Sequence, residues 1–232
     1  MKKDIFCVIL DYCGGLETDN LYEKLSAWNP EYNIEILDNA SPENKSRNIS
    51  ITSSANSGIG GGIKDCINQC KSRGSRYLLF ITNDIVPITK IDFELMANVM
   101  MYNDGVALVS PSLSLDSDKP YYPWMTCQKK GENRVVPHAD FLCCLFDTQI
   151  IDSFGGFPDS RSGWGYDWEF AYHSRSQNKR MVVCDSMIIK HLEENLNPII
   201  EMQKQIELKR IYDQRYGDYR KLRPHRYRVI DA

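Results

Sequence analysis

The chain has 232 residues, 42% of them apolar and 25% charged, and 28 Lys and Arg against 31 Asp and Glu leave a formal charge of −3. That balance excludes a protein built around a concentrated basic surface for nucleic acid, and no apolar stretch approaches the roughly 20 residues that cross a bilayer. The apolar run behind Met1-Lys2-Lys3-Asp4 is too short for a secretory signal and lacks a small-residue cleavage site, so a cytoplasmic protein with mostly reduced cysteines is expected.

Taken in order, Ile5–Leu10 is continuous and β-branched, which predicts a strand covered on both faces. Asn20–Trp28 places Leu21, Leu25 and Trp28 at helical spacing. Asn33–Leu37 reads as a second strand, closed by the turn signal Asp38-Asn39-Ala40-Ser41-Pro42. Asn48–Thr52 is short and β-like, Ile63–Lys71 helical, Tyr77–Thr82 a strand, Asp92–Met101 a helix and Val106–Ser110 a strand. Ser112–Pro137, polar and rich in Pro and Tyr, reads as a surface excursion. Asp140–Phe146 and Met181–Ile189 are strands flanking a helix over Asp167–Ser176. Pro198–Tyr216 is a charged helix with an apolar stripe of Ile199, Met202, Ile206 and Ile211, and Arg220–Arg228 is a basic tail. Strands alternating with helices predict an α/β domain over residues 1–196, with a mainly parallel central sheet and helices on both faces. Residues 197–232 form a C-terminal helix and tail. Cys7, Cys143, Cys144 and Cys184 fall in apolar runs as small hydrophobes. No Cys-x-x-Cys pair occurs, which argues against structural zinc.

In an open parallel sheet, ligands bind beyond the carboxyl ends of the strands. Three predicted strands exit there into Asp11-Tyr12-Cys13-Gly14-Gly15, Asp38-Asn39 and Asn83-Asp84. Each carboxylate taken singly serves equally as a turn former or helix cap. Ser57-Gly58-Ile59-Gly60-Gly61-Gly62 follows a strand and opens a helix, so its N–H groups could face an anion. It lacks a P-loop ending and fails the G-x-G-x-x-G pattern, which disfavours a nicotinamide dehydrogenase. Asp84 offers one hard oxygen ligand, enough for Mg²⁺ or Mn²⁺ when substrate phosphate completes the shell. In Gly163-Trp164-Gly165-Tyr166-Asp167-Trp168-Glu169, aromatics suited to stacking on a sugar precede two acids that open a helix. Those acids would otherwise complement the helix N-terminus. His191 ends an apolar strand, as a metal ligand or as a structural imidazole.

The order Asp38-Asn39-Ala40-Ser41, Asn56-Ser57-Gly58, Asn83-Asp84, Gly155-Gly156-Phe157, Gly165-Tyr166-Asp167 and strand-His191 resembles the family 2 glycosyltransferases, closest to the small rhamnosyltransferase-like subgroup. The likeness runs from about Ile5 to His191. It implies the GT-A fold and a metal-dependent inverting glycosyltransferase that moves one sugar from a nucleotide-diphospho-sugar to a glycan or glycoconjugate hydroxyl. By the resemblance, Asp11, Tyr12 and Asp38 hold the nucleoside, with Asp38 accepting from the base, and Asn56, Gly58 and Asn83 line the nucleotide pocket. Asp84 matches the last acid of the D-x-D motif, His191 the late metal ligand for Mn²⁺ or Mg²⁺, and Asp167 the general base. Trp164, Trp124, Tyr121 and Tyr122 are candidates to stack on the acceptor, with His138, Asp140 and Glu169 adding hydrogen bonds. Thr82 stands where the family has its first D-x-D acid, and Tyr166 where it has a Glu. The Q-x-x-R-W signature of processive synthases is absent, which implies single transfer. An aspartate near pKa 4 is a feeble base, so the proton is expected to leave late.

Two other readings remain open at this point. A sugar nucleotidyltransferase needs a basic glycine-rich loop, and Asp11–Gly15 has no Lys or Arg. A catalytically inactive nucleotide-sugar or carbohydrate-binding module would share the fold. The basic tail would touch an anionic membrane surface, with the protein peripheral to it, dock a partner domain, or lead into further sequence.

Overall fold

The computed structural model describes residues 4–117, 122–128, 131–192, 198–223 and 230–231. Its N-terminal half is a parallel sheet in the order β3-β2-β1-β4, made of β1 (Ile5–Asp11), β2 (Ile34–Asp38), β3 (Ile51–Thr52) and β4 (Tyr77–Thr82). Helices α1 (Gly15–Trp28) and α2 (Gly58–Ser72) form crossovers between these strands. β1 and β4 are buried at every position after the first, as strands covered on both faces must be.

The second half is β5 (Ile85–Pro87), α3 (Phe93–Tyr102), β6 (Val106–Leu113), β7 (Asn133–Val136), β8 (Cys143–Asp147), α4 (Thr148–Ser153), α5 (Tyr166–Ser176), β9 (Arg180–His191), α6 (Pro198–Tyr216) and β10 (Ile230–Asp231). Here the sheet is mixed rather than mainly parallel. β8 runs antiparallel between β4 and β6, β9 is parallel to β6, and β7 and β5 run antiparallel to β9. The excursion after β6 leaves and returns at the same end of the sheet, so β8 must enter in reverse. β10 adds an antiparallel edge to β7.

Packing explains several local choices. Gly62 lets α2 lie on β1, since a Cβ there would stand 2.8 Å from the Leu10 side chain. Buried Asn29 joins α1 to α3, donating to the Leu25 and Ile91 carbonyls at 3.0 Å and accepting from Phe93 N at 2.9 Å. All eight cysteines are free thiols. Among the described residues no helix is long and apolar enough to cross a membrane.

α6 buries only Ile211 of the expected stripe. Ile199, Met202 and Ile206 are 61%, 56% and 59% exposed, while Leu208, Ile211 and Tyr212 are buried. Two faces compete on this helix, and the one bearing Tyr212 wins because it packs with Trp164, Trp168 and Tyr172.

The excursion is pinned by one buried ion pair. Arg134 Nε and Nη2 donate to the two Asp185 carboxylate oxygens at 2.7 Å each, and the same guanidinium reaches the Trp124 and Thr126 carbonyls at 2.8 and 2.9 Å. Neither residue meets solvent. Arg134→Ala strands a buried carboxylate and should lower stability by about 3–5 kcal/mol. Denaturant unfolding of the variant beside the parent measures this, and an unchanged midpoint refutes it.

Candidate active site

The β1 and β2 exits are built around carboxylates that face inward. Asp11 Oδ1 accepts from Gly14 N at 3.0 Å, Thr18 Oγ1 at 2.7 Å and Asn83 Nδ2 at 2.8 Å, clasping β1, α1 and the β4 exit. Asp38 Oδ1 accepts from Ser41 N at 2.9 Å, and Lys45 Nζ lies 3.5 Å from its Oδ2. Both carboxylates are wholly buried and neither lines either of the two cavities described below. They shape the loops, whereas the expected role was direct contact with a nucleoside. Over them opens a pocket of about 240 Å³ lined by Tyr12, Asn39, Asn56, Gly58, Asn83, Asp84 and Arg161 among others. Tyr12 is 45% exposed at its rim.

The glycine run does not present a free row of N–H groups. Gly60 N donates to the Arg161 carbonyl at 3.2 Å. Gly58 has φ +74°, and a Cβ there would stand 2.2 Å from that carbonyl. The run is therefore a seat for the Ser160–Gly163 loop. That seat brings Arg161 into the pocket, a cation the sequence reading passed over because the loop has no periodicity.

At the β4 exit, Asp84 Oδ2 lies 3.3 Å from His191 Nε2. The pairing of β5 with the end of β9 sets Ile85 opposite His191 and so creates this contact. Burial favours the neutral carboxyl, but hydrogen bonds from His191 and Thr82 outweigh it and hold Asp84 below its ordinary range. Neighbouring ligand atoms on a small octahedral cation are about 3 Å apart, so a carboxylate and an imidazole so placed fit Mn²⁺ or Mg²⁺ with phosphate oxygens completing the shell. The same Thr82 hydroxyl also lies 3.3 Å from the Leu142 carbonyl.

Asp84, Thr82 and Ile59 also border a second, larger cleft of about 790 Å³, and Asp167 and His191 line it too. Asp167 lies in the first turn of α5, behind Gly165 at φ +89°, where a Cβ would meet the Tyr212 ring at 2.6 Å. Burial pushes the Asp167 carboxyl up to about 6 despite a hydrogen bond with Asp140. Asp84, Asp167 and His191 thus share one cleft, whereas Asp38, expected at the nucleoside, lines neither cavity.

Among the expected acceptor residues, Trp164, Tyr122 and Asp140 line the cleft. His138 does not. It is fully buried, edge-on to Tyr122 and Trp124 at 4.0 and 5.2 Å between centroids. Burial, then the Arg175 charge, lowers its imidazole to about 3, so it is neutral near pH 7. Trp124 stacks behind Tyr122 and donates its indole N–H to the His138 carbonyl at 2.9 Å. Glu169 points the other way. Its carboxylate accepts from Tyr216, from Tyr212 at 3.4 Å and from Arg215 Nε at 2.8 Å, tying α5 to α6. Tyr121 and residues 224–229 of the basic tail lie outside the described residues. The structure adds Trp168, whose Nε1 donates to the Tyr122 hydroxyl at 2.9 Å, with Arg223 over its ring at 5.8 Å and Lys204 over Trp164 at 5.3 Å. These cations could not be placed from sequence, because the contact joins α5 to the C-terminal segment.

No protein-family model and no curated protein sequence matches the chain. Solved structures do. S. aureus TarS 1–349 in complex with UDP-GlcNAc aligns over 93% of this chain and 67% of its own, at TM-score 0.63 and 12% identity. GalNAc-T7 with UDP, GalNAc and Mn²⁺ aligns over 82% of this chain at TM-score 0.58 and 10% identity. The chain spans 44% of the length of GalNAc-T7. Both neighbours are GT-A glycosyltransferases, and the chain has the GT-A glycosyltransferase fold.

Proposed function

We propose that this chain is an inverting, metal-dependent glycosyltransferase of the family 2 type, moving one hexose from a nucleoside-diphospho-sugar to a hydroxyl of a glycan or glycoconjugate. One observation carries the reading. A small polar pocket and a large aromatic cleft meet at Asp84, and a carboxylate of raised proton affinity lines the cleft. The nucleoside occupies the smaller pocket between Tyr12 and Asn56, with Arg161 beside the phosphates. The acceptor lies against Trp164 and Trp168 in the larger cleft.

In the reaction, the acceptor oxygen attacks the anomeric carbon from the side opposite the nucleotide. The bond to the diphosphate breaks with its electron pair, and the acceptor proton passes to Asp167. A carboxylate raised to about 6 is a stronger base than the ordinary aspartate expected from sequence, and positioned bases contribute roughly 10²–10⁴-fold. Asp84 and His191 would hold a divalent cation, which when bound offsets negative charge on the departing diphosphate. With no second carboxyl group needed on the leaving oxygen, the site differs from that of a glycosidase.

The neighbours' ligands, UDP-GlcNAc in one and UDP with GalNAc in the other, make UDP, UDP-GlcNAc and UDP-GalNAc the first probes. Calorimetry with Mn²⁺ should show binding of UDP, and incubation with UDP-sugars should release UDP slowly by hydrolysis. Absence of both across uridine, guanosine and thymidine diphosphates and their sugars refutes the reading. Tyr12→Ala should weaken diphosphate binding by about 1–3 kcal/mol, the usual worth of a base stacked on an aromatic ring. An unchanged Kd would move the base elsewhere.

A further inference from the structure

The larger cleft is divided by charge. Its carboxylates, Asp84, Asp140 and Asp167, come from the β4 exit, the approach to β8 and the first turn of α5. Asp140 and Asp167 cluster with His138, their ligand atoms within 4.8 Å of one another. Its cations, Lys204, Lys209 and Arg223, come from α6 and from the residue after the short turn Tyr219–Leu222. These three differ in what they face. Lys209 is paired with Asp213 one turn further along α6. Lys204 Nζ stands 5.3 Å over the Trp164 ring. The Arg223 guanidinium lies 5.8 Å over Trp168 and 5.1 Å over Tyr219, and it donates to the Tyr219 hydroxyl at 3.0 Å. No carboxylate among the described residues pairs with Arg223.

We propose that the cleft takes an anionic glycan, whose phosphate or carboxylate is held by Arg223 and Lys204 while the neighbouring sugar lies on Trp164 and Trp168. Calling that glycan the acceptor rests on the transferase reading, but its recognition does not. A cation over an aromatic face is held by the ring quadrupole, an attraction weaker than a charge-assisted hydrogen bond to an oxyanion. An arriving anion therefore draws Lys204 and Arg223 toward itself and frees the indole faces they covered. A neutral glycan gives nothing in exchange for displacing them.

The opposite wall reinforces this choice. Asp84, Asp140 and Asp167 repel an anion, so the charged group of the glycan stays at the α6 wall and an uncharged hydroxyl is the part that reaches Asp167. The planar fork of Arg223 suits two oxygens of a phosphate or carboxylate at once, and Lys204 adds a point charge.

Tryptophan fluorescence reads binding in this cleft without turnover. EDTA is present throughout, to keep phosphate off any cation at Asp84. N-acetylglucosamine 6-phosphate and glucuronate should bind more tightly than N-acetylglucosamine and glucose, by roughly 5–10-fold, and the margin should shrink as NaCl is raised. Lys204→Met and Arg223→Met keep side-chain length without charge, and together should erase the margin, whereas Arg223→Lys should retain part of it. The double reversal Lys204→Glu and Arg223→Glu should turn the preference toward glucosamine. Equal affinity for charged and neutral sugars in the parent, or a margin that survives both Met substitutions, overturns the proposal. So does binding to phosphatidylglycerol vesicles that is lost in the Met variants while the sugar anions give no response, a result that would assign these residues to a lipid headgroup. Titration with UDP and Mn²⁺ in the same preparation tests the transferase reading separately. A preference for sugar anions without UDP binding keeps this site and removes that reading.

Discussion

Asp167→Asn is expected to cut sugar transfer by roughly 10²–10⁴-fold, the contribution of a positioned base, and to leave nucleotide binding unchanged. Asp167 lines the large cleft and not the smaller pocket, so the swap touches no group there. Initial rates beside calorimetric titration with UDP and Mn²⁺ separate the two effects. A second consequence concerns stability. The folded carboxyl is raised to about 6 by burial, above its unfolded value, so its contribution to stability is full at low pH and is lost as pH rises through about 6. Above that pH the parent keeps a poorly solvated charge that the amide avoids. Asp167→Asn should therefore melt no lower than the parent at pH 7.5. A transfer-competent variant would place the base elsewhere.

Asp84→Ala and His191→Ala should each remove the Mn²⁺ dependence of diphosphate affinity, a loss of roughly 10–100-fold, at least that of an outer partner in a metal site. The parent's affinity should fall to the variants' level when EDTA replaces Mn²⁺. Equal affinity with and without Mn²⁺ in all three proteins would refute the assignment. If the dependence survived both substitutions and vanished in Asp140→Ala, the cation would instead belong to the cluster of His138, Asp140 and Asp167.

Much of this arrangement is written in the sequence where a residue's burial follows from its element. Tyr77–Thr82 and Pro198–Tyr216 have the predicted limits, because an uninterrupted apolar and aromatic run and a long charged helix leave no other solution. β5, β7 and α4 are too short or too polar to show a period, and the antiparallel entry of β8 is a matter of direction, which periodicity does not encode. That Asp84, Asp167 and His191 would meet in one cleft was legible because they sit where an apolar strand ends or a helix begins. Asp11 and Asp38 occupy similar exits, yet their loops fold over them, and that closure depends on Ser41, Thr18 and Asn83 from other segments. Glu169 was misplaced for a simpler reason. Two residues on an α-helix are about 200° apart, so Glu169 had to face away from any cleft that Asp167 faced. Arg161, Trp168 and Arg223 reach the site through contacts between distant segments, which no local pattern announces.

The Glu169 clasp joins to α5 a helix that borders one cavity and not the other. The smaller pocket is lined from β1, β4, α2 and the loops that follow β1 and β2, while Met202, Gln205 and Ile206 on α6 border only the larger cleft. On the proposed function, substitution along that last helix would alter the acceptor side of the site and leave the donor pocket untouched. Under that proposal, acceptor choice is a property of one outer helix and is open to change without rebuilding the sheet.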